Sequence, residues 1–158
     1  MVGLLEAVSP LEQLHIWMVR RWLDDPESQQ EVWNLLAGAY GGARAKTQLR
    51  TFETYLSEWE LSAQRPLFHG QVGCPCLGRD EKRLADVMRY ATVGDQASAA
   101  NVARELVRPQ AVSAIVRQAA ELGRSLSPEA PALLCRTRLI DHTQMVRKAI
   151  AEAPSRLH

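Results

Sequence analysis

Apolar residues in this chain recur at spacings of three and four, and residues that start or stop helices punctuate the runs. Ser9-Pro10-Leu11-Glu12 joins an N-cap serine, a proline at the first helical position and a glutamate three residues past the cap. It predicts a helix to about Leu23. Asp25-Pro26-Glu27 opens a second helix by the same device, and Gly41-Gly42 after Tyr40 closes it. A third runs from about Ala43 to Ala63, with Leu49, Phe52, Leu56 and Trp59 on one stripe. Arg65-Pro66 stops it, because proline pushes the residue before it out of helical geometry.

A fourth helix begins at Arg79 or Asp80 and turns Leu84, Val87, Met88 and Ala91 inward. Gly94-Asp95 separates it from a fifth, which reaches about Val107. Pro109 opens a sixth, with Val112, Ile115, Val116 and Ala119 inside and Gly123 as its stop. Ser127-Pro128-Glu129 leads to a last helical region, about Ala132 to Ala153, where Asp141 offers a second cap and leaves one helix or two. No segment alternates with period two for long enough to predict a strand.

Six or seven helices on short connections predict an all-α, bundle-like single domain over 1–158. Residues 64–79 form one Gly/Pro/Cys-containing loop between sub-bundles 9–63 and 80–153. Composition agrees: 158 residues, 46% hydrophobic and 23% charged, can bury a core without staples. Three cysteines make no disulfide framework, the N-terminus lacks the basic start and apolar centre of a signal peptide, and no apolar run reaches about 18 residues. The expectation is a cytoplasmic protein with no membrane contact.

Charge changes this picture only locally. The net charge is +1, but residues 1–63 hold five basic and nine acidic side chains, and residues 64–158 hold fourteen and nine. Bulk charge therefore argues against a polyanionic partner. The fifth and sixth helices have helix-turn-helix proportions, with Gln110, Ser113, Arg117 and Gln118 as polar readers. No glycine occupies the turn and the chain is not basic overall, so nucleic acid is not the expected partner.

The loop gathers the candidate chemistry. His69, Cys74 and Cys76 are soft ligands on a Gly/Pro-rich connector, suited to zinc, iron or haem. Structural zinc needs four donors, so a fourth must come from His15, His142, Cys135 or Asp80. Cys-x-Cys is shorter than the usual zinc or dithiol spacing. The alternatives are a reactive thiol pair, with a pKa lowered by the following helix and by Arg79, Lys82 or Arg83, or a tight turn whose cysteines act as small hydrophobes.

Other constellations fail. A phosphatase loop needs arginine six positions after its cysteine, where Cys74 meets Asp80 and Cys76 meets Lys82. The stretch Gly38–Thr47 has Tyr40 and Ala45 where a phosphate loop needs glycine. No nucleophile elbow is present, and Glu58 and Glu60 point to different sides of a helix. His15 and His142 sit on apolar stretches as core residues, and His158 lies at the terminus. A catalytic role is not the expectation.

The aromatic residues suggest a surface. Trp17, Trp22, Trp33 and Trp59 all fall within the first 63 residues, and the first helix is apolar on more than one side. Such a helix is central in its fold or covers a partner. The reading of the sequence is a helical protein acting in protein–protein interaction or regulation, as a homodimer through Trp17 and Trp22. The alternative is a metal- or cofactor-binding, redox protein using His69, Cys74 and Cys76.

Overall fold

Caps and glycines set the element boundaries in the computed structural model, which describes residues 1–153. At the start of α1 (Pro10–Trp22) the Glu12 N–H donates to Ser9 Oγ at 3.4 Å, and the Ser9 N–H donates to Glu12 Oε2 at 2.9 Å. Asp25 accepts from the Ser28 N–H at 2.7 Å and starts α2 (Pro26–Tyr40). Gly41, with φ of 77°, turns the chain straight into α3 (Gly42–Ser62). Then come α4 (Arg79–Thr92), α5 (Gln96–Arg104), α6 (Val112–Leu126) and α7 (Ala130–Glu152). The fold is a single all-α domain, as the helical periodicity predicts.

At four places the structure departs from, or decides between, the local readings of the sequence. A two-residue antiparallel ladder joins β1 (Gly3–Leu4) to β2 (Cys76–Leu77), too short to leave an alternating pattern in the sequence. Gly123 does not stop α6. A side chain there would run into Thr92 and Met88 of α4, so this glycine permits close helix approach. Asp141 caps nothing, since α7 passes through it unbroken, and His142 is exposed rather than in the core.

Helix α1 is central. It packs against α2, α4 and α7, and everything from Leu14 through Arg21 is buried, polar residues included. That placement accounts for a helix apolar on more than one side. The main core runs without a break from Leu14, Phe52, Tyr55 and Trp59 to Met88, Ile115 and Leu122, so residues 64–79 do not divide two cores. Helix α6 is buried against α3, α4 and α5, making α5–α6 a hairpin within the bundle. Among the described residues, no helix is long and apolar enough to cross a membrane. His158 lies outside the described residues.

Candidate functional site

Two adjacent acids at the start of α4, Asp80 and Glu81, organise the whole 64–79 loop. Both are buried, so each needs a cation and further donors to offset the loss of water. Asp80 takes both arms of the Arg65 guanidinium at 2.7 and 2.8 Å, and the Phe68 N–H donates to it at 2.9 Å. Arg65 holds its carboxyl below the usual range, against a smaller upward push from burial. Glu81 receives Arg20 Nε at 2.6 Å and Nη2 at 2.8 Å, with the Gly70 and Gly78 N–H groups at 2.7 and 2.9 Å. Burial raises its pKa, but Arg20 and these two N–H groups outweigh it and leave the carboxyl below its ordinary value.

Arg20 does more than pair with Glu81. Its Nη1 donates to the carbonyls of Gln71 at 3.2 Å and Cys74 at 2.6 Å, and its Nη2 donates to that of Cys76 at 2.6 Å. A buried guanidinium thus fixes the backbone on both sides of Pro75. The Cβ of any residue replacing Gly70 would fall 2.7 Å from Arg20 Cζ, so glycine is needed for this approach. On the far side of the loop, Leu5 and Val8 pack on Ile16, Leu77 and Ala85.

The structure brings Cys74 and Cys76 together and leaves His69 apart. Both cysteines are free and half-buried. The Cys76 N–H and thiol lower the Cys74 pKa, helped by Arg20 and opposed by burial, whereas the neighbouring Cys74 thiol and burial raise that of Cys76. His69 is exposed, with Nδ1 3.1 Å from its neighbour's carbonyl at Gly70. It lines an apolar cleft of about 510 Å³ floored by Trp59, Leu56 and Leu84, while Cys74 lines a separate cleft of about 190 Å³ beside Arg138. Among the described residues, no three His, Cys, Asp or Glu side chains are grouped as metal ligands. Of the proposed fourth donors, His15 is buried in the core, His142 and Cys135 are exposed on α7, and Asp80 is committed to Arg65.

The tryptophans divide as well. Trp17 is only 8% exposed: Arg21 lies 4.1 Å from its ring centroid, and its Nε1–H donates to Asp141 of α7 at 3.2 Å. Helix α7 therefore covers this ring within the same chain. Trp22 is half-buried, edge-on to Phe52 at 5.9 Å, and shares a shallow cleft with Trp33 and Leu49.

Sequence reasoning missed the outer face of α7. Its inner face, Ala130, Leu133, Thr137, Ile140 and Gln144, meets the body. A second stripe, Ala132, Cys135, Leu139, His142, Val146 and Ala149, repeats at 3-4-3-4-3 and is exposed at every position, with Leu139 68% and Val146 44% accessible. Two stripes of period 3.5 on one helix give little net amphipathicity, so a search for a single apolar face passes over them. No protein-family model, curated protein or solved structure matches this chain.

Proposed function

We propose that this protein is a cytoplasmic, non-catalytic interaction module that self-associates through the outer face of α7. One observation carries the reading: the unbroken heptad stripe from Ala132 to Ala149, uncovered in the monomer, on a helix already anchored by its opposite face. Leu139 on the stripe, with Met145 and Ile150 flanking it, are 68–70% exposed.

A second copy is the occupant that the pattern fits. Placed antiparallel, the stripe is its own complement: Ala132 lies opposite Ala149, Cys135 opposite Val146, and Leu139 opposite His142. The flanking arginines then meet neutral groups, Arg136 facing Thr143 and Arg138 facing Met145, so no like charges collide. Trp22 and Trp33 are partly covered and do not carry the dimer.

The test is sedimentation velocity on the full chain, paired with a designed crosslink. The wild-type protein should form dimers that Leu139→Asp with Val146→Asp abolishes while the far-ultraviolet dichroism holds. In the antiparallel register, Val146→Cys should oxidise to a disulfide with Cys135 of the second copy. A wild-type protein that stays monomeric at its highest soluble concentration sinks the proposal, as does a dimer indifferent to both aspartates.

A further inference from the structure

We propose that the apolar cleft between α1, α3, α4 and the 64–79 loop binds a small organic cation, an amine on an apolar body, with Glu60 meeting the ammonium. This is independent of the α7 surface, none of whose residues line the cleft.

The cleft has a packed floor and a fastened wall. Its floor is Val19 of α1, Leu56 and Trp59 of α3 and Leu84 of α4, core residues that also line the opening. Its outer wall is the chain from Arg65 to His69. At one end of this wall the Gln64 N–H donates to the Leu106 carbonyl at 2.9 Å. At the other, the Phe68 N–H donates to buried Asp80 at 2.9 Å and the Gly70 N–H to buried Glu81 at 2.7 Å. Pro66 stiffens the span between them. The space is therefore shaped before a ligand arrives, which lowers the ordering cost of binding. Its volume of about 510 Å³ falls within the range of small-molecule sites, about 300–1,000 Å³.

Charge at the mouth selects the ligand. Two side chains of fixed charge line the cleft, Glu60 and Arg65. Arg65 commits both arms to Asp80 at 2.7 and 2.8 Å, so its charge is already matched. Glu60 is exposed and has no ion-pair partner among the described residues. An entering carboxylate would be repelled by Glu60 and find Arg65 taken, whereas an ammonium would gain an unmatched carboxylate. Phe68 favours the same sign. Its ring stands 74% exposed on the rim, where a cation can lie against its face. Arg65 already lies 5.9 Å from the centroid of that ring, so positive charge is accommodated beside it. The apolar body of the ligand then displaces water from Trp59, Leu56 and Leu84.

The test is a matched series on the full chain at about pH 8, where an alkylamine is charged. Phenylbutylamine, phenylbutanol and phenylbutyrate share one apolar body and differ in the charge of the head. Affinity is read by calorimetry, and the site by amide shifts in nitrogen–proton spectra. The amine should bind about threefold more tightly than the alcohol and about tenfold more tightly than the carboxylate, as an exposed ion pair allows. Shifts should cluster at Phe68, His69 and Leu84. Glu60→Gln keeps the shape of the cleft and should bring the amine down to the level of the alcohol. Ala63→Phe, on the edge of the cleft, should abolish binding of all three while the far-ultraviolet dichroism holds. Where that variant fails to fold, Glu60→Gln decides alone. Equal affinities for the three probes, an amine preference that survives Glu60→Gln, shifts elsewhere on the molecule, or no binding at about 1 mM amine would each overturn the proposal.

Discussion

His15 makes a sharp test of how this core is built. It sits on central α1 at 1% exposure, its ring 5.4 Å from that of Tyr55, and neither ring nitrogen has a hydrogen-bond partner among the described residues. Burial alone drives its pKa from 6.5 to about 4. A histidine with a depressed pKa stays neutral in the fold, while the unfolded chain takes up the proton below about pH 6.5. Stability is therefore full above that value and is lost as pH falls toward 4. At about 1.4 kcal/mol for each pH unit separating the two pKa values, the loss saturates near 3.4 kcal/mol, and about 2 kcal/mol of it has accrued by pH 5.

The measurement is urea unfolding followed by tryptophan fluorescence, at about pH 7.5 and pH 5, for the wild type and His15→Leu. Leucine is close in volume and carries no group to protonate, so the variant should stay within about 1.5 kcal/mol of the wild type at the higher pH. Between the two conditions the wild type should lose about 2 kcal/mol more than the variant. All other groups that protonate over this range are common to both proteins and cancel in the difference. Parallel pH dependences would refute the reasoning and would mean that His15 finds a polar partner or protonates inside the fold.

Three further outcomes follow from the packing. Glu81→Gln leaves Arg20 charged in a buried site and should cost about 3–5 kcal/mol, whereas Arg20→Met with Glu81→Met should cost less than either single change. In Glu81→Gln, hydrogen exchange should also speed up at the Gly70 and Gly78 amides, which donate to that carboxylate. Gly123→Ala should destabilise by about 1–3 kcal/mol through overpacking against Thr92 and Met88, and Thr92→Ala should restore part of the loss in thermal melts. Asp25→Ala removes the cap on the Ser28 N–H and should lower the urea midpoint without changing the slope, since α2 loses a start signal but no core contact.

What was legible in the sequence was local. Ser9, Asp25, Gly41 and Asp95 act on backbone groups within a few residues, so their effects can be read without knowing the neighbours. Gly123 was misread because its reason lies in α4, more than a turn of sequence away and invisible until the helices meet. The loop's ligand-like residues were visible, but not that Arg20 and Glu81 would meet across it. A basic residue on one helix and an acid at the start of another carry no sign of their pairing. The same holds for Trp17, which looked like a surface anchor until α7 was placed over it.

Helix α1 explains why both candidate surfaces hang on the same part of the molecule. Arg20 and Arg21 are adjacent, and adjacent residues on an α-helix point about 100° apart. On a surface helix at least one of them would reach solvent. Because α1 is central, both are buried and each must find its acid in a different neighbour: Arg20 in Glu81 and the loop, Arg21 in Glu31 of α2 and Asp141 of α7. Arg20 thereby fixes the loop that walls the apolar cleft. Arg21 fixes the inner face of α7 and so decides where its outer stripe is presented. As ion pairs the two arginines gain little over apolar residues of the same volume, although Arg20 also satisfies three loop carbonyls. What they set is orientation: a packed apolar face tolerates small rotations, whereas charged pairs of this kind hold each attached element at one angle.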